Sequence, residues 1–175
     1  MIIENTIKQA SQLLKLHNIQ SPMLDAEIIL SDIMGVNKEF FITENNKKIS
    51  EKIIKRFNVA IKRRIKNEPI AYIVGKKEFW SEQFLVKKGI LVPRPETEIM
   101  IYKIIKLFKN RSINILDIGT GSGCILLSIL KELKNSRGMG IDISKEAIEI
   151  AKKNSKNLSL LNRSRFKVSD LSKFN

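Results

Sequence analysis

The stretch from Ile113 to Gly123 constrains the fold more than any other part of the chain. It reads Ile-Asn-Ile-Leu-Asp-Ile-Gly-Thr-Gly-Ser-Gly. Its first half is mostly apolar, which predicts a short parallel strand that is covered on both faces. An apolar stretch of helical length follows, so the glycines fall where a strand turns into the amino terminus of a helix. Backbone N–H groups at such a turn can hold an anionic or polar ligand.

The spacing of the glycines and two carboxylates narrows the choice of ligand. A dinucleotide fingerprint needs a glycine at position 124, where this chain has Cys124. Asp117 would repel a pyrophosphate but suits a cationic group such as the ammonium of an amino acid. Asp142 ends a predicted second strand about twenty residues beyond the loop, where such folds hold the ribose hydroxyls. The alternative is that Asp142 or Ser144 only caps the next helix.

The pattern Asp-x-Gly-x-Gly-x-Gly at Asp117 to Gly123 resembles motif I of the class I S-adenosylmethionine methyltransferases. The resemblance implies an α/β fold with a Rossmann-like sheet and S-adenosyl-L-methionine as the cofactor. The residues that it implies for cofactor binding in this region are Asp117, Gly119, Thr120, Gly121, Ser122, Gly123 and Asp142.

Composition sets limits on other classes of function. A chain of 175 residues is expected to form one ordinary domain or two small ones. It contains no apolar run of membrane-spanning length and does not start as a signal peptide does, which predicts a cytoplasmic protein with no membrane partner. The single cysteine, Cys124, is expected to pack rather than react, and no metal site is predicted. The net charge of +14 favours acidic partners, nucleic acid included.

The first third of the chain predicts a bundle of helices. Apolar residues recur at helical spacing from residue 4 to residue 17 and again after Ser21-Pro22, which is expected to start a helix that ends at Gly35. Ser50 is expected to cap a longer helix. One face of that helix is basic and is either a solvated surface or a partner-binding one. Its cations are Lys52, Lys55, Arg56, Lys62, Arg63 and Lys66.

The spacing of the apolar residues along the chain changes after Glu68. The apolar runs 71–75 and 78–86 surround a polar turn and predict a β-hairpin. Pro93 and Pro95 then force an extended path. Thr97 is expected to cap the helix that precedes the glycine-loop strand.

Five segments occur in the order and rough spacing of the HemK/PrmC family, which the chain therefore resembles. That family methylates the side-chain amide of the glutamine in the Gly-Gly-Gln loop of peptide chain release factors. The resemblance implies release factors as partners, a helical substrate-recognition domain at 1–75, a hairpin and proline-bracketed connector at 76–97, and the first half of the methyltransferase domain at 98–175. The segments are Glu68 to Gly75, Glu78 to Ser81, Val92 to Glu98, Asp117 to Gly123 and Ile141 to Ser144.

One departure from the family is large. The family's substrate motif, Asn-Pro-Pro-Tyr, follows the fourth strand and does not occur here. Residues 165–170 predict the third strand, with Asp170 and Leu171 where the family holds the adenine. The chain is therefore expected to be the front part of a longer enzyme, to contain no catalytic residue and to be inactive alone. By the resemblance, a further group of residues lies beside the sulfonium. It consists of Arg94, Pro95, Glu96 and Thr97.

Two other functions remain open at this stage. A methyltransferase that acts on the amino group of an RNA or DNA base also uses an Asn-Pro-Pro-Tyr-like motif, and the basic middle of the chain would suit RNA. The match at Pro93 to Glu98 argues against it. The second alternative is a remnant that binds a partner through its helices and methylates nothing. Nucleic acid is thus a possible partner but not a required one.

Overall fold

A computed structural model of the protein describes residues 1–173 and divides the chain into two compact units, one ending at Val74 and the other starting at Gly75. The first unit is helical and the second contains a parallel sheet, which confirms the α/β class. Within the described residues, no helix combines the length and the apolar character needed to cross a membrane.

The first unit is a small bundle built around buried Leu14, Leu30 and Phe57. Ser50 caps the longest helix as predicted, because its Oγ accepts a hydrogen bond from the backbone N–H of Ile53 at 3.4 Å. The helices are α1 (Ile3–Leu16), α2 (Pro22–Met34), α3 (Phe40–Thr43), α4 (Glu51–Ile65) and α5 (Ile70–Val74).

One prediction about this unit is confirmed in position only, and one is wrong. Ser21 sits at the N-cap position of α2, but its side chain makes no capping hydrogen bond. Residues 71–75 do not form the first strand of a hairpin, because Ile70–Val74 is helix α5. Pro69 directly precedes α5, where a missing N–H costs nothing, and its carbonyl accepts hydrogen bonds from two N–H groups of the helix.

The basic face of α4 is only partly a free surface. Arg63 donates two hydrogen bonds to the carboxylate of Glu68, at 2.8 and 2.6 Å, and a third to the carbonyl oxygen of Tyr72. Arg63 therefore fastens α5 to α4. The other five predicted cations of this face are exposed, namely Lys52, Lys55, Arg56, Lys62 and Lys66.

The second unit has a two-stranded antiparallel hairpin and a parallel sheet in the order β3-β4-β5. Helices α7 and α8 pack on the sheet, and a core around Phe84, Leu127 and Leu130 lies beneath them. A short 3₁₀ turn follows β5. The elements are β1 (Lys76–Phe79), β2 (Glu82–Leu85), α6 (Thr97–Phe108), β3 (Asn114–Ile118), α7 (Cys124–Glu132), β4 (Arg137–Asp142), α8 (Lys145–Asn157) and β5 (Ser164–Val168).

The hairpin begins later than predicted and turns at Trp80 and Ser81. Both residues have positive φ, +52° and +57°. Two positive φ values are what a two-residue hairpin turn of type I′ requires, although a bulky residue such as tryptophan rarely adopts them. Carboxylates hold Trp80 there, since Glu98 accepts from its backbone N–H and Glu132 from its indole N–H, each at 2.8 Å.

The prediction that Thr97 caps α6 is also wrong. Thr97 is the first residue inside the helix, and Glu96 occupies the N-cap position without a side-chain hydrogen bond. The backbone N–H of Thr97 donates to the carbonyl of Arg94, so a tight turn leads into the helix. The extended path set by Pro93 and Pro95 therefore ends in this turn. The helix begins at Thr97 itself, one residue earlier than it would if Thr97 were the N-cap.

Strand β3 is not covered on both faces. Among the described strands it pairs only with β4 and so lies at the edge of its sheet. Leu116 and Ile118 point to one face and remain 45% and 53% exposed. Asp117 points to the other face, toward α7. The apolar residues on both sides of β3 are typical of a strand between two layers, but the described residues cover one face of it only.

Candidate functional site

The glycine loop between β3 and α7 is fastened to the end of β4. The backbone N–H groups of Gly119 and Thr120 donate to the carbonyl of Ile141, at 2.9 and 3.0 Å. The N–H of Gly121 donates to Oδ2 of Asp142 at 2.9 Å. The carboxyl ends of two neighbouring parallel strands therefore hold the loop in one position, where parallel α/β sheets bind their ligands.

Asp117 lies below this loop in a half-buried position. The hydroxyl of Thr120 donates to its Oδ2 at 2.7 Å. Burial raises the pKa of the Asp117 carboxyl, and the nearby charge of Asp142 raises it further, although hydrogen bonds from Thr120 and the backbone of Leu126 act in the opposite direction. Two acidic groups so close to each other favour a cationic ligand group between or beside them.

The glycines of the loop make room for a ligand on one side and for helix packing on the other. Gly119 has φ +74°, and a Cβ added there would meet nothing within 4 Å, so the backbone is open to a ligand. Gly123 has φ +78°, and an added Cβ would lie 3.2 Å from Phe166 and from Ala151. Gly123 thus lets α7 approach β5 and α8 closely.

Asp142 and Ser144 have separate tasks. Ser144 caps α8, because its Oγ accepts from the backbone N–H of Ala147 at 3.2 Å. Asp142 accepts from Gly121 with one oxygen and from the N–H of Ser144, at 2.9 Å, with the other. Each carboxylate oxygen has further lone pairs, so Asp142 can still accept hydrogen bonds from a ligand.

Asp170 and Leu171 are exposed at the end of the described chain, beyond β5. Oδ1 of Asp170 accepts from the N–H of Ser172 at 3.0 Å, and Leu171 is 57% exposed. The preceding residue, Ser169, donates its N–H to the carbonyl of Asp142 at 3.0 Å. Asp170 is therefore one residue away from the site, although within the described residues no hydrogen bond joins it to the loop.

The segment from Arg94 to Thr97 reaches the site less directly. Arg94, Pro95 and Glu96 are exposed, and their backbone bonds close local turns. The part of the connector that approaches the loop is Ile90, since a Cβ added at Gly121 would lie 3.8 Å from its Cγ2. Within the described residues, no hydrogen bond or ion pair joins Arg94, Pro95, Glu96 or Thr97 to the glycine loop.

Asn154 is a site residue that the sequence analysis missed. It lies on α8 and is completely buried. Its Nδ2 donates to the carbonyls of Leu85 and Ser122, at 3.0 and 2.9 Å, and its Oδ1 accepts from the N–H of Leu85 at 2.7 Å. Asn154 therefore ties the glycine loop to the hairpin. Its position in the apolar stripe of α8, one turn after Ile150 and Ala151, is the sequence signal that could have revealed it.

Cys124 follows the loop as a packing residue. It is buried, and burial raises the pKa of its thiol to about 11, so the thiolate is scarce near neutral pH. Within residues 1–173, no group of histidine, cysteine, aspartate and glutamate side chains is arranged to hold a metal ion.

Comparison with known proteins matches both units. Residues 5–75 match the PrmC N-terminal domain, and residues 109–175 match a methyltransferase domain. The chain is 37% identical over 155 residues to the release factor glutamine methyltransferase of Caulobacter vibrioides, covering 88% of this chain and 54% of that protein. It is 42% identical over 163 residues to the enzyme of the same name from Buchnera aphidicola subsp. Baizongia pistaciae, covering 93% of this chain and 58% of that protein.

A third relative has a longer chain. The protein named bifunctional methyltransferase from Rickettsia prowazekii is 37% identical over 172 residues, which cover 87% of this chain and 33% of that protein. The chain thus spans about half the length of the first two relatives and a third of the last. These similarities confirm the resemblance seen in the sequence motifs: the chain combines a PrmC N-terminal domain with a methyltransferase domain.

Proposed function

We propose that the protein transfers a methyl group from S-adenosyl-L-methionine to the side-chain amide nitrogen of the glutamine in the Gly-Gly-Gln loop of a peptide chain release factor. The observation that carries the proposal is the combination of a PrmC N-terminal domain with a glycine loop whose N–H groups and two carboxylates converge at one edge of a parallel sheet. Residues 1–75 would recognise the release factor, 76–97 would connect, and 98–175 would form the first part of the cofactor domain.

The residues of the loop fit the cofactor. When bound, S-adenosylmethionine supplies a methyl group on a positively charged sulfur. Asp117 favours a positive charge and would accept from the ammonium of the methionine moiety, while the open backbone at Gly119 leaves space for it. Asp142 would accept from the ribose hydroxyls through the lone pairs that Gly121 and Ser144 leave free.

Two further groups complete the proposed cofactor site. Asp170 and Leu171 would contact the adenine, which is supported by the link from Ser169 to Asp142. Arg94 to Thr97 would lie on the sulfonium and substrate side, which is supported by the approach of the preceding Ile90 to the loop. The backbone of Thr120, Ser122 and Gly123 would complete the wall of the loop.

The chemistry of the substrate explains what the protein must do. An amide nitrogen is a poor nucleophile, because its lone pair is delocalised into the carbonyl group. The protein must therefore hold the glutamine in line with the methyl group and hydrogen-bond its amide so that the lone pair becomes available. None of the described residues is assigned this role. What they supply is the orientation of the methyl donor, through the carboxylates of Asp117 and Asp142.

Binding of S-adenosylhomocysteine to the 175-residue chain tests the cofactor site directly. The Asp142→Ala variant loses hydrogen bonds between a charged group and two hydroxyls, so its affinity should fall by about 1.5–3 kcal/mol in calorimetric titration. Glu149→Ala, an exposed carboxylate on α8, is the matched control and should bind as the wild type does. Equal affinity of wild type and Asp142→Ala would refute the assignment of Asp142.

The substrate needs a separate experiment. Residues 1–175 are joined to the carboxyl-terminal half of the Buchnera relative and incubated with tritiated S-adenosylmethionine, a purified release factor and total RNA. Label should appear on the release factor, also after RNase treatment, and should disappear when the Gly-Gly-Gln glutamine is replaced by alanine. Label confined to RNA would instead support the nucleobase alternative. The 175-residue chain alone should transfer nothing above background.

A further inference from the structure

A cavity of the methyltransferase unit lies at the opposite end of the strands from the glycine loop. Its volume is about 660 Å³. The last turn of α6, the segment that leads into β3 and the residues just after α7 form its walls. At about 3.3 Å per residue, β3 alone separates it from the glycine loop by about 16 Å. The site already described does not use this cleft.

The cleft carries positive charge that the protein does not neutralise. Within the described residues, none of its four cations makes an ion pair. Glu132 is the only carboxylate among the described residues that line the cleft, and it accepts a hydrogen bond from the indole N–H of Trp80. Cations near the carboxyl termini of α6 and α7 are stabilised by the helix dipoles, which permits them to stay unpaired in water. The cations are Lys106, Lys109, Arg111 and Lys134.

Two aromatic rings line the same cleft. Tyr102, on α6, is 59% exposed, although a tyrosine ring could bury much of its surface in a core. Trp80 is fixed at the cleft in a left-handed backbone conformation by two carboxylates, those of Glu98 and Glu132. Residues held in such sparsely populated conformations are concentrated at ligand sites. The conformation of Trp80 is therefore consistent with a ligand-binding role of the hairpin turn in addition to its packing role.

We propose that this cleft binds a nucleotide, with its base stacked on Tyr102 and its phosphate held by Lys106, Lys109 and Lys134. Exposed aromatic rings beside unpaired cations are the combination that binds single-stranded nucleic acids, since every base has a face that can stack and every nucleotide carries a phosphate. The nucleotide is either a free one or one unit of an RNA strand. Arg111 would add a second phosphate contact, and Trp80 would close the opposite wall.

The single tryptophan of the chain makes the test direct, because the fluorescence of Trp80 reports on this cleft alone. The 175-residue chain is titrated with uridine monophosphate and with an oligouridylate of eight nucleotides. Uridine avoids competition for an adenine site, and saturating S-adenosylhomocysteine should leave the titration unchanged. The expected result is saturable quenching. The affinity for the oligomer should fall as salt rises, with a log–log slope of about −0.7 for each phosphate that the cleft contacts.

Matched variants separate a site from a general charge effect. The triple variant Lys106→Gln, Lys109→Gln, Lys134→Gln should lose the salt dependence and most of the affinity. The control triple variant Lys152→Gln, Lys153→Gln, Lys156→Gln removes the same charge from exposed positions of α8 and should bind as the wild type does. Tyr102→Ala should weaken binding about tenfold, whereas Tyr102→Phe, which keeps the ring, should not.

The outcomes identify the source of the nucleotide or overturn the proposal. Quenching by uridine monophosphate would show that the cleft binds a free nucleotide. Quenching by the oligomer alone would show that it binds an RNA strand. Equal quenching by polyglutamate or by inorganic phosphate would show that the cleft does not recognise a nucleotide. Equal losses in the two triple variants, or no difference between Tyr102→Ala and Tyr102→Phe, would likewise overturn it.

Discussion

Replacement of Asn154 is the sharpest test of how the glycine loop is held. In Asn154→Ala, the carbonyl of Ser122 and both the N–H and the carbonyl of Leu85 lose their hydrogen-bond partners. The bond to Ser122 is buried, whereas those to Leu85 are half-buried and water can partly replace them. At about 1–3 kcal/mol for each buried group left unpaired, the free energy of unfolding should fall by about 3–5 kcal/mol.

Urea denaturation followed by Trp80 fluorescence measures this loss in the methyltransferase unit, which contains the only tryptophan. With a slope of about 2 kcal/mol per molar, the urea midpoint should fall by about 2 M. Asn157→Ala, at the exposed end of the same helix, is the control and should change the free energy by less than about 0.5 kcal/mol. If the two variants unfold at the same urea concentration, Asn154 does not hold the loop.

Asn154→Asp adds a pH dependence with a definite sign. The new carboxylate still accepts from the N–H of Leu85, but when ionised it faces two carbonyl oxygens in a buried position. Burial and these carbonyls raise its pKa in the folded state above the unfolded value. The folded variant is therefore most stable when the carboxyl is protonated, and its deficit relative to wild type should grow as pH rises from about 4 to 7. A deficit that is constant over this range would contradict the buried position.

Three further predictions concern stability. Asp117→Asn should raise the free energy of unfolding at pH 7, because the raised pKa of Asp117 means that its ionised form is unfavourable in the folded state. The gain in stability should shrink as pH falls, and an equal gain at pH 4 would contradict this prediction. Gly140→Ala places a methyl group 2.6 Å from the hydroxyl oxygen of Thr120, which donates to Asp117, and should lower the free energy of unfolding by about 1–3 kcal/mol in thermal unfolding. An unchanged stability would show that the loop can shift freely. Asp25→Asn breaks an almost buried ion pair with Arg64 and should cost about 2–4 kcal/mol by circular dichroism, whereas Glu4→Gln, in an exposed pair, should cost less than about 1.

The order of strand, loop and helix around the glycine loop can be predicted from the sequence, because each of these elements is determined by residues that are neighbours in the chain. The apolar run at 113–118 and the cap at Ser144 depend on residues that are close in the chain. The same holds for the end of α2 at Gly35, whose φ of +68° suits glycine. At these positions local chemistry decides the structure, and the sequence predictions are confirmed.

Three of the errors arise where contacts with distant parts of the chain decide the structure. Residues 70–74 are apolar enough for a strand, but Arg63, on the preceding helix, binds the carbonyl of Tyr72 and holds them as a helix. The turn at Trp80 requires positive φ from residues that rarely adopt it, and only distant carboxylates make it stable. Asn154 was missed for the same reason, because its partners lie 69 and 32 residues away.

Among the described residues, one face and one edge of β3 are uncovered, which affects how copies of the chain behave toward one another. An apolar edge strand with free backbone N–H and C=O groups is a template for intermolecular β-pairing. The segment 113–118 has high β-propensity, no proline and one charge, which is the composition of a strand that stacks into fibrils. That charge is Asp117, so the carboxylate that suits a cationic ligand also opposes stacking of identical strands. Asp117→Asn would therefore make each molecule harder to unfold and the solution quicker to aggregate.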